Sequence, residues 1–388
     1  MKGCAMFGLR VLSSGSGLSD HDYDYNYSNS NVRSHLCSFL IADLANSAKK
    51  QSNKRALVSL NNRRKRPKSK GMKRINDLYS KIISIENLRL ADQNARKGKL
   101  RQPGVIKHDL NRDANIHSLH ERLRDKTYNT SEYTTFTILE PKERLIYRLP
   151  YFPDRITHHA IMNILEPVFV STFTSCTYNC IKGRGIHAAA RAVKQSLNDI
   201  ENTQFCLKLD IKKFYPSIDH EVLKQLLRKK IKDKDLLWLL DEIIDSTDGL
   251  PIGNYLSQYL ANFYLTYFDH WLKEEKQVKY YFRYADDFVI LAPDKPYLHQ
   301  LLGEIRNYLS DKLKLTIKSN YQVFPVDSRG IDFVGYVFFH THTLLRKSIK
   351  KRFARALRKR NNMQSIASYK GWAKHCNSKN LLKKLFNE

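Results

Sequence analysis

The sequence predicts an α+β chain in which short antiparallel hairpins are set among amphipathic helices. Three stretches predict it. Tyr281–Leu291 (YFRYADDFVIL) places Ala285-Asp286-Asp287 between two β-favouring runs, which reads as a hairpin with the acidic pair at its turn. Phe205–His220 (FCLKLDIKKFYPSIDH) alternates into Asp210 as a strand and turns away at Phe214-Tyr215-Pro216. Tyr133–Arg148 (YTTFTILEPKERLIYR) alternates as another hairpin. Elsewhere apolar residues recur at helical spacing.

Charge narrows the partners. Lys and Arg number 67 against 38 Asp and Glu in 388 residues, a net +29. That excess, spread along the chain, is a footprint for nucleic acid. The six cysteines form no CxxC pair, which fits reduced thiols in a cytoplasm. Cys176 and Cys180 are half a zinc site with no second ligand pair, so zinc is not expected. No apolar run approaches the ~18 residues of a membrane span. Two adjacent carboxylates between buried strands need compensation, and a divalent cation is the usual one. A solvated Asp-Asp turn is the plainer alternative, and the upstream residues decide against it.

In chain order, Met1–Gly71 reads as an appendage. Ser13–Ser34 is rich in Ser, Asn, Asp and Tyr without periodicity and reads as disordered. Lys49–Lys70 carries ten Lys or Arg and no acid, a pattern of flexible nucleic-acid arms or plain linkers. From Met72, Ile75, Leu78, Tyr79, Ile82 and Ile83 take helical spacing, and His117–Lys126 is a further helix. The hairpin over Tyr133–Arg148 carries Lys142, Arg144 and Arg148 on its polar edge. A helix is expected over Asp154–Pro167, after Pro153. Tyr178–Ala188 (YNCIKGRGIHA) sets Lys182 and Arg184 in a Gly-x-Gly turn before a helix, which is either a phosphate nest or an ordinary turn. Asp219 reads as the N-cap of His220–Leu227. Gly249–Leu265 (GLPIGNYLSQYLANFYL) opens from a Pro/Gly turn into a helix whose Ser257 and Gln258 should face something polar.

A strand-end Asp, a Gly-rich turn into a helix, and Tyr-Ala-Asp-Asp in a hairpin, in this order, resemble the palm of a reverse transcriptase. The basic hairpin and the Gly-Arg-Gly segment resemble its two fingers motifs, and Arg329–Phe339 (RGIDFVGYVFF) its primer-grip hairpin. The resemblance runs from about Met72 to the end. It implies a right-hand polymerase fold with fingers over 72–204, a palm with an antiparallel sheet over 205–340 and a small basic helical thumb over 341–388. Pro251-Ile252-Gly253 followed by Ser257-Gln258 is similar to the diversity-generating retroelement enzymes, as are Leu344–Arg352 and Tyr369–His375. Those enzymes copy a template-repeat RNA into cDNA with errors at adenines, for diversification of a target gene.

The resemblance implies roles by position. Asp210, Asp286 and Asp287 would be catalytic and, with the Ile211 carbonyl, would hold two Mg²⁺ ions, with Mn²⁺ as the substitute. Lys142, Arg144, Tyr215, Ile252, Gly253 and Gln258 would bind the nucleotide, Tyr215 excluding a ribose 2′-hydroxyl. Lys182, Arg184, Tyr284, Gly335, Tyr336, Arg346 and Lys347 would bind template or primer. The lysine expected as general acid aligns with Tyr321; Lys318 is its neighbour, and the acid stays unassigned. Implied partners are template RNA, cDNA or primer, dNTPs and a small basic ring-forming accessory protein, in a bacterial or phage-encoded cytoplasmic setting. The tail after the primer-grip hairpin leaves no room for a maturase DNA-binding domain, and neither an endonuclease cluster nor a ribonuclease H carboxylate set is evident, which disfavours an autonomous intron protein. A retron or abortive-infection enzyme is the rival, although Phe333-Val334-Gly335-Tyr336 stands where a retron would carry Val-Thr-Gly. A non-catalytic RNA-binding protein is the remote alternative. Met1–Gly71 would be either translated template-like sequence or a basic RNA-binding arm.

Overall fold

The computed structural model describes residues 74–139, 143–359 and 363–386, so the expected Met1–Gly71 appendage and Lys142 lie outside the described residues. Within these, helix ends follow short polar side chains. The Ser84 hydroxyl accepts from the Asn87 N–H at 3.2 Å, which splits the helical pattern after Met72 into α1 (Tyr79–Ile83) and α2 (Ile85–Ala95). The next two helices are α3 (Pro103–Asp109) and α4 (Arg112–Arg124), followed by the exposed hairpin β1 (Thr134–Ile138) and β2 (Arg144–Arg148). Helix α5 runs Ile156–Thr172 straight through Pro167, past the expected end. Asp154 lies in the helical turn Tyr151–Arg155 that opens this helix, as expected, and is fully buried, accepting from the Tyr128 hydroxyl at 2.8 Å and the Ser131 N–H at 3.0 Å. It ties the incoming chain down.

Helix α6 (Ile186–Ser196) leads to strand β3 (Phe205–Asp210), and Asp219 and Asp233 then cap α7 (His220–Lys230) and α8 (Lys234–Ile244), accepting from Val222 and Leu236 at 2.9 and 3.1 Å. After α9 (Tyr255–Tyr264) and α10 (Thr266–His270) come β4 (Tyr280–Tyr284), β5 (Asp287–Ala292), α11 (Lys295–Leu313) and β6 (Gln322–Pro325). The four strands form one antiparallel sheet in the order β4-β5-β3-β6. Both its faces are covered. Phe288 and Ile290 point into the larger core with Leu207 and Leu209, while Val289, Leu291 and Cys206 point into a second core against α6. This two-sided burial explains why β5 is an unbroken apolar run rather than an alternating one.

A second sheet, β7 (Ile331–Phe333), β8 (Tyr336–Phe338) and β9 (Thr343–Leu345), shares that second core. Its third strand lies beyond residue 340, so the expected palm–thumb boundary at 340/341 cuts through a hydrogen-bonded sheet. The chain ends in α12 (Lys347–Lys359), α13 (Met363–Ala373) and α14 (Lys379–Phe386). The α+β class and the central antiparallel sheet are those of the expected right-hand polymerase fold. Among the described residues no helix is long and apolar enough to cross a membrane.

Candidate active site

Strand register brings the acids together. Asp210, the last residue of β3, is the direct antiparallel partner of Asp287, the first of β5. Ala285, at φ 55°, turns the chain so that Asp286 precedes β5, and the Asp286 carbonyl accepts from the Ile211 N–H at 3.4 Å. Two backbone bonds flank Ile211, Lys212 N–H to Thr316 O at 2.8 Å and Lys318 N–H to Asp210 O at 2.9 Å. Neither uses the Ile211 carbonyl.

Electrostatics show what this cluster lacks. Removal from water and the nearby Asp210 carboxylate push Asp286 up to about 7. Removal from water, only partly offset by Lys208, pushes Asp287 up to about 6. Lys318 Nζ lies 2.6 Å from Asp210 Oδ2 and Lys208 Nζ 3.7 Å from Asp287 Oδ1. Asp210 Oδ1 and Asp287 Oδ1 are buried without a hydrogen-bond donor. Orphaned, desolvated carboxylate oxygens on facing strands fit a hard divalent cation. Among the described residues no three carboxylate, imidazole or thiol side chains form a ready-made cage. Mg²⁺ does not require one, because it keeps waters and takes substrate phosphates as ligands.

A buried ion pair holds the turn from below. Arg283, fully buried, donates from Nε to Asp269 Oδ1 at 2.8 Å and from Nη2 to Oδ2 at 2.5 Å. Its Nη1 donates to the Ala285 carbonyl at 3.1 Å and to Asn262 Oδ1 at 3.1 Å. Asp269 also accepts from the Tyr281 and Thr177 hydroxyls at 2.6 and 3.0 Å. Residues Arg283 and Asp269 were not singled out in the sequence, where a charged pair at this spacing has no local signature.

The nucleotide-side candidates converge on one turn. Tyr147 N–H of β2 donates to the Ile252 carbonyl at 2.8 Å, docking the hairpin on Pro251-Ile252-Gly253. Gly249, at φ 61°, lies so close to Tyr215 and Pro216 that a Cβ would meet their carbonyls at 2.7 Å. Tyr215 is buried, its hydroxyl has no hydrogen-bond partner among the described residues, and burial raises its pKa well above the usual tyrosine value. Gln258 accepts from Cys180 Sγ at 2.8 Å, the polar contact its sequence position required. Gly253 has φ 128°, and a Cβ there would lie 2.4 Å from the Tyr147 carbonyl. Gly253→Ala is therefore expected to push β2 away from the turn and to lower kcat/KM for nucleotide addition about tenfold or more, an effect of ~1–3 kcal/mol. Steady-state kinetics of the variant would read it; unchanged constants would show that the hairpin contact does not matter.

Other expectations land differently. Arg184 Nη1 donates to the carbonyls of Thr174 at 2.7 Å and Thr177 at 3.3 Å, so it closes its own loop, whereas Lys182 is exposed. Tyr336, expected at the primer, is fully buried, with its hydroxyl 3.2 Å from His187 Nδ1 and donating to Trp372 O at 3.1 Å. Packing accounts for the burial: Trp372 lies over Gly335, where a Cβ would meet its ring at 2.2 Å. Arg346 donates to Asp332 Oδ1 at 2.5 Å. Tyr284 is the half-buried register partner of Asp287. Lys347 is exposed and opens α12, whose outer face adds Lys350, Lys351, Arg352, Arg355 and Arg358.

Comparison with known proteins places this geometry. The family described as reverse transcriptase (RNA-dependent DNA polymerase) matches residues 140–338, which include β2 through β8. Protein YkfC of Escherichia coli is 26% identical over 244 residues, covering 51% of this chain and 62% of that one. The group II intron-encoded protein LtrA of Lactococcus lactis is 22% identical over 296 residues, covering 57% and 49%. Nuclear intron maturase 4 of Arabidopsis thaliana is 27% identical over 210 residues, covering 51% and 25%. The chain thus spans less than two thirds of these relatives. A telomerase from Candida albicans, solved with a fragment of telomeric RNA, is similar at TM-score 0.43 and 12% identity, covering 64% of this chain and 55% of that one. Because the matched segment contains the facing aspartates, the turn they flank and the docked basic hairpin, the chain belongs to the reverse transcriptase (RNA-dependent DNA polymerase) family.

Proposed function

We propose that this chain is an RNA-directed DNA polymerase that extends a primer with dNTPs along an RNA template. The observation that carries the reading is the register pairing of Asp210 with Asp287, with Asp286 in the adjoining turn, inside the matched family segment. Reverse transcriptases use divalent metal ions, and Asp210, Asp286 and the Ile211 carbonyl would hold two Mg²⁺ here, with Asp287 in support. Bound there, the ions supply activation of the primer 3′-hydroxyl and neutralisation of the triphosphate and leaving pyrophosphate. Arg144 with Lys142 grips the triphosphate, and the buried Tyr215 ring limits the space beside the sugar. Lys318, already against Asp210 at 2.6 Å, orients that carboxylate. The exposed Lys and Arg of α12 track the template–primer backbone, with an affinity that falls steeply as salt rises. Residues from about 72 to 204 serve as fingers, those from 205 through the third strand of the second sheet as palm, and the basic helices after it as thumb.

Within the family, the chain reads as a diversity-generating enzyme that makes errors at template adenines. The support is Ile252 before Gly253, with Ser257 and Gln258 following. Ile252 packs its side chain against the main core while its carbonyl is held by β2, so it offers the nascent pair apolar contact and no hydrogen bond. A site without such a bond discriminates less. Similarity to LtrA and to an intron maturase favours a second reading, a group II intron-type enzyme that copies accurately.

Sequencing cDNA made by the full chain on a template-repeat RNA with Mg²⁺, with and without a small basic accessory protein, separates the two. Errors clustered at adenines are expected, and Ile252→Gln is expected to reduce them severalfold. Accurate cDNA from the wild type would favour the intron-type reading, and an unchanged error spectrum in Ile252→Gln would remove that residue from the account. Absence of any cDNA would overturn the polymerase reading.

A further inference from the structure

We infer that Cys180 is a positioning residue that fixes which end of the Gln258 amide faces the nascent base pair; the inference rests on the polymerase reading. The first observation is backbone strain. Cys180 has φ 56°, a left-handed conformation that L-residues other than Asn, Asp and Gly seldom adopt. Strain of this kind persists only where the surroundings impose it, and it concentrates at functional sites.

The surroundings are polar and continuous. Asn262 and Gln258 lie four residues apart on α9 and so share one helical face. Asn262 Nδ2 donates to the Asn179 carbonyl at 2.8 Å, and Cys180 Sγ, with its single S–H, reaches Gln258 Oε1 at 2.8 Å, nearer than the competing acceptor Asn179 Oδ1 at 3.2 Å. Residues 179 and 180 thus straddle that face. The other end of the Asn262 amide accepts from Arg283 Nη1, which also holds the Ala285 carbonyl ahead of Asp286 and Asp287.

Chemistry gives the thiol its direction. A primary amide has one accepting and one donating end, whereas a thiol donates weakly and accepts poorly. With Oε1 held by the S–H, the Gln258 amino group faces away as a donor; the flipped amide would set N–H groups against sulfur. A donor beside a forming pair finds the minor-groove acceptors that every base pair presents, so it checks pair geometry rather than base identity. Losing that orientation weakens binding of the correct nucleotide more than of a mispaired one.

The test compares Cys180→Ser, Cys180→Gly, Gln258→Ala and the double variant Cys180→Gly/Gln258→Ala in the full chain. Single-nucleotide addition with correct and incorrect dNTPs gives kcat and KM separately, and thermal melts give stability. Glycine suits φ 56°, so Cys180→Gly is expected to fold at least as well as the wild type while losing the thiol. Its KM for the correct dNTP should rise on the order of fivefold, the worth of one neutral hydrogen bond, with discrimination falling similarly. Serine restores the donor and should restore discrimination. The double variant should be no worse than Gln258→Ala. Cys180→Gly with wild-type discrimination, or additive losses in the double variant, would overturn the inference. A wild-type chain that adds no nucleotide would instead overturn the polymerase reading beneath it.

Discussion

Asp286→Asn is expected to abolish nucleotide addition while making the metal-free protein more stable. The activity loss follows from the site's dependence on charge: a lost ligand to a catalytic divalent ion removes several kcal/mol of transition-state stabilisation, roughly 10³-fold or more in rate. The stability gain follows from the same carboxylate. Asp286 ionises near its ordinary 3.8 when unfolded but only at about 7 when folded, because burial and the Asp210 carboxylate oppose its charge. A raised folded pKa favours the folded state below the unfolded value, and that benefit is lost as pH rises through about 7. Above neutrality the ionised, metal-free site therefore strains the fold. Asparagine carries no charge at any pH and relieves it. Discounted for screening at a half-buried group, the gain is about 2 kcal/mol at pH 8, worth a few degrees in Tm. Melts in the presence of a chelator at pH 5 and pH 8 should show a gap that widens with pH, and Mg²⁺ should close it by stabilising only the wild type. Equal melting temperatures at both pH values would mean that the acids do not repel one another as their register implies.

The second large effect is expected one layer below the catalytic turn. Asp269→Ala leaves the Arg283 guanidinium, fully buried, without its counter-charge. Breaking such a pair from one side costs about 3–5 kcal/mol, a large part of the ~5–15 kcal/mol that separates folded from unfolded protein. A drop in Tm on the order of 10 °C is the expected readout. Arg283→Met/Asp269→Leu should recover much of that stability, because an apolar pair of similar volume replaces two desolvated charges. It should not recover activity, since the Nη1 bond to the Ala285 carbonyl is lost and the turn before Asp286 is released. A double variant with full activity would show that the ion pair serves the fold alone.

Legibility in the sequence followed the range of the interactions. Alternation, turn chemistry and caps act over a few residues, and so Phe205–Asp210, Tyr280–Leu291, both strands of the basic hairpin and the Asp219 cap could be read directly. The helix continuing through Pro167 was misjudged because helix ends also depend on what the chain packs against. The motif around Tyr336, which the resemblance places at template or primer, carries no information about Trp372 of α13, which packs against it. The Gly-x-Gly turn around Arg184 reads equally as a phosphate nest or an ordinary turn, because a free guanidinium and one that closes its own loop have the same sequence context.

The sequence by itself determined the α+β class, the order of the motifs and the identity of the three aspartates, since each is written in local pattern and spacing. Tertiary structure alone decided that Asp210 meets Asp287, that Arg283 and Asp269 hold the turn, and that Cys180 meets Gln258, 78 residues away. The physical reason is that register, buried charge compensation and hydrogen-bond partnership are properties of surfaces brought together by packing, and no local pattern in the chain says which residues will be partners.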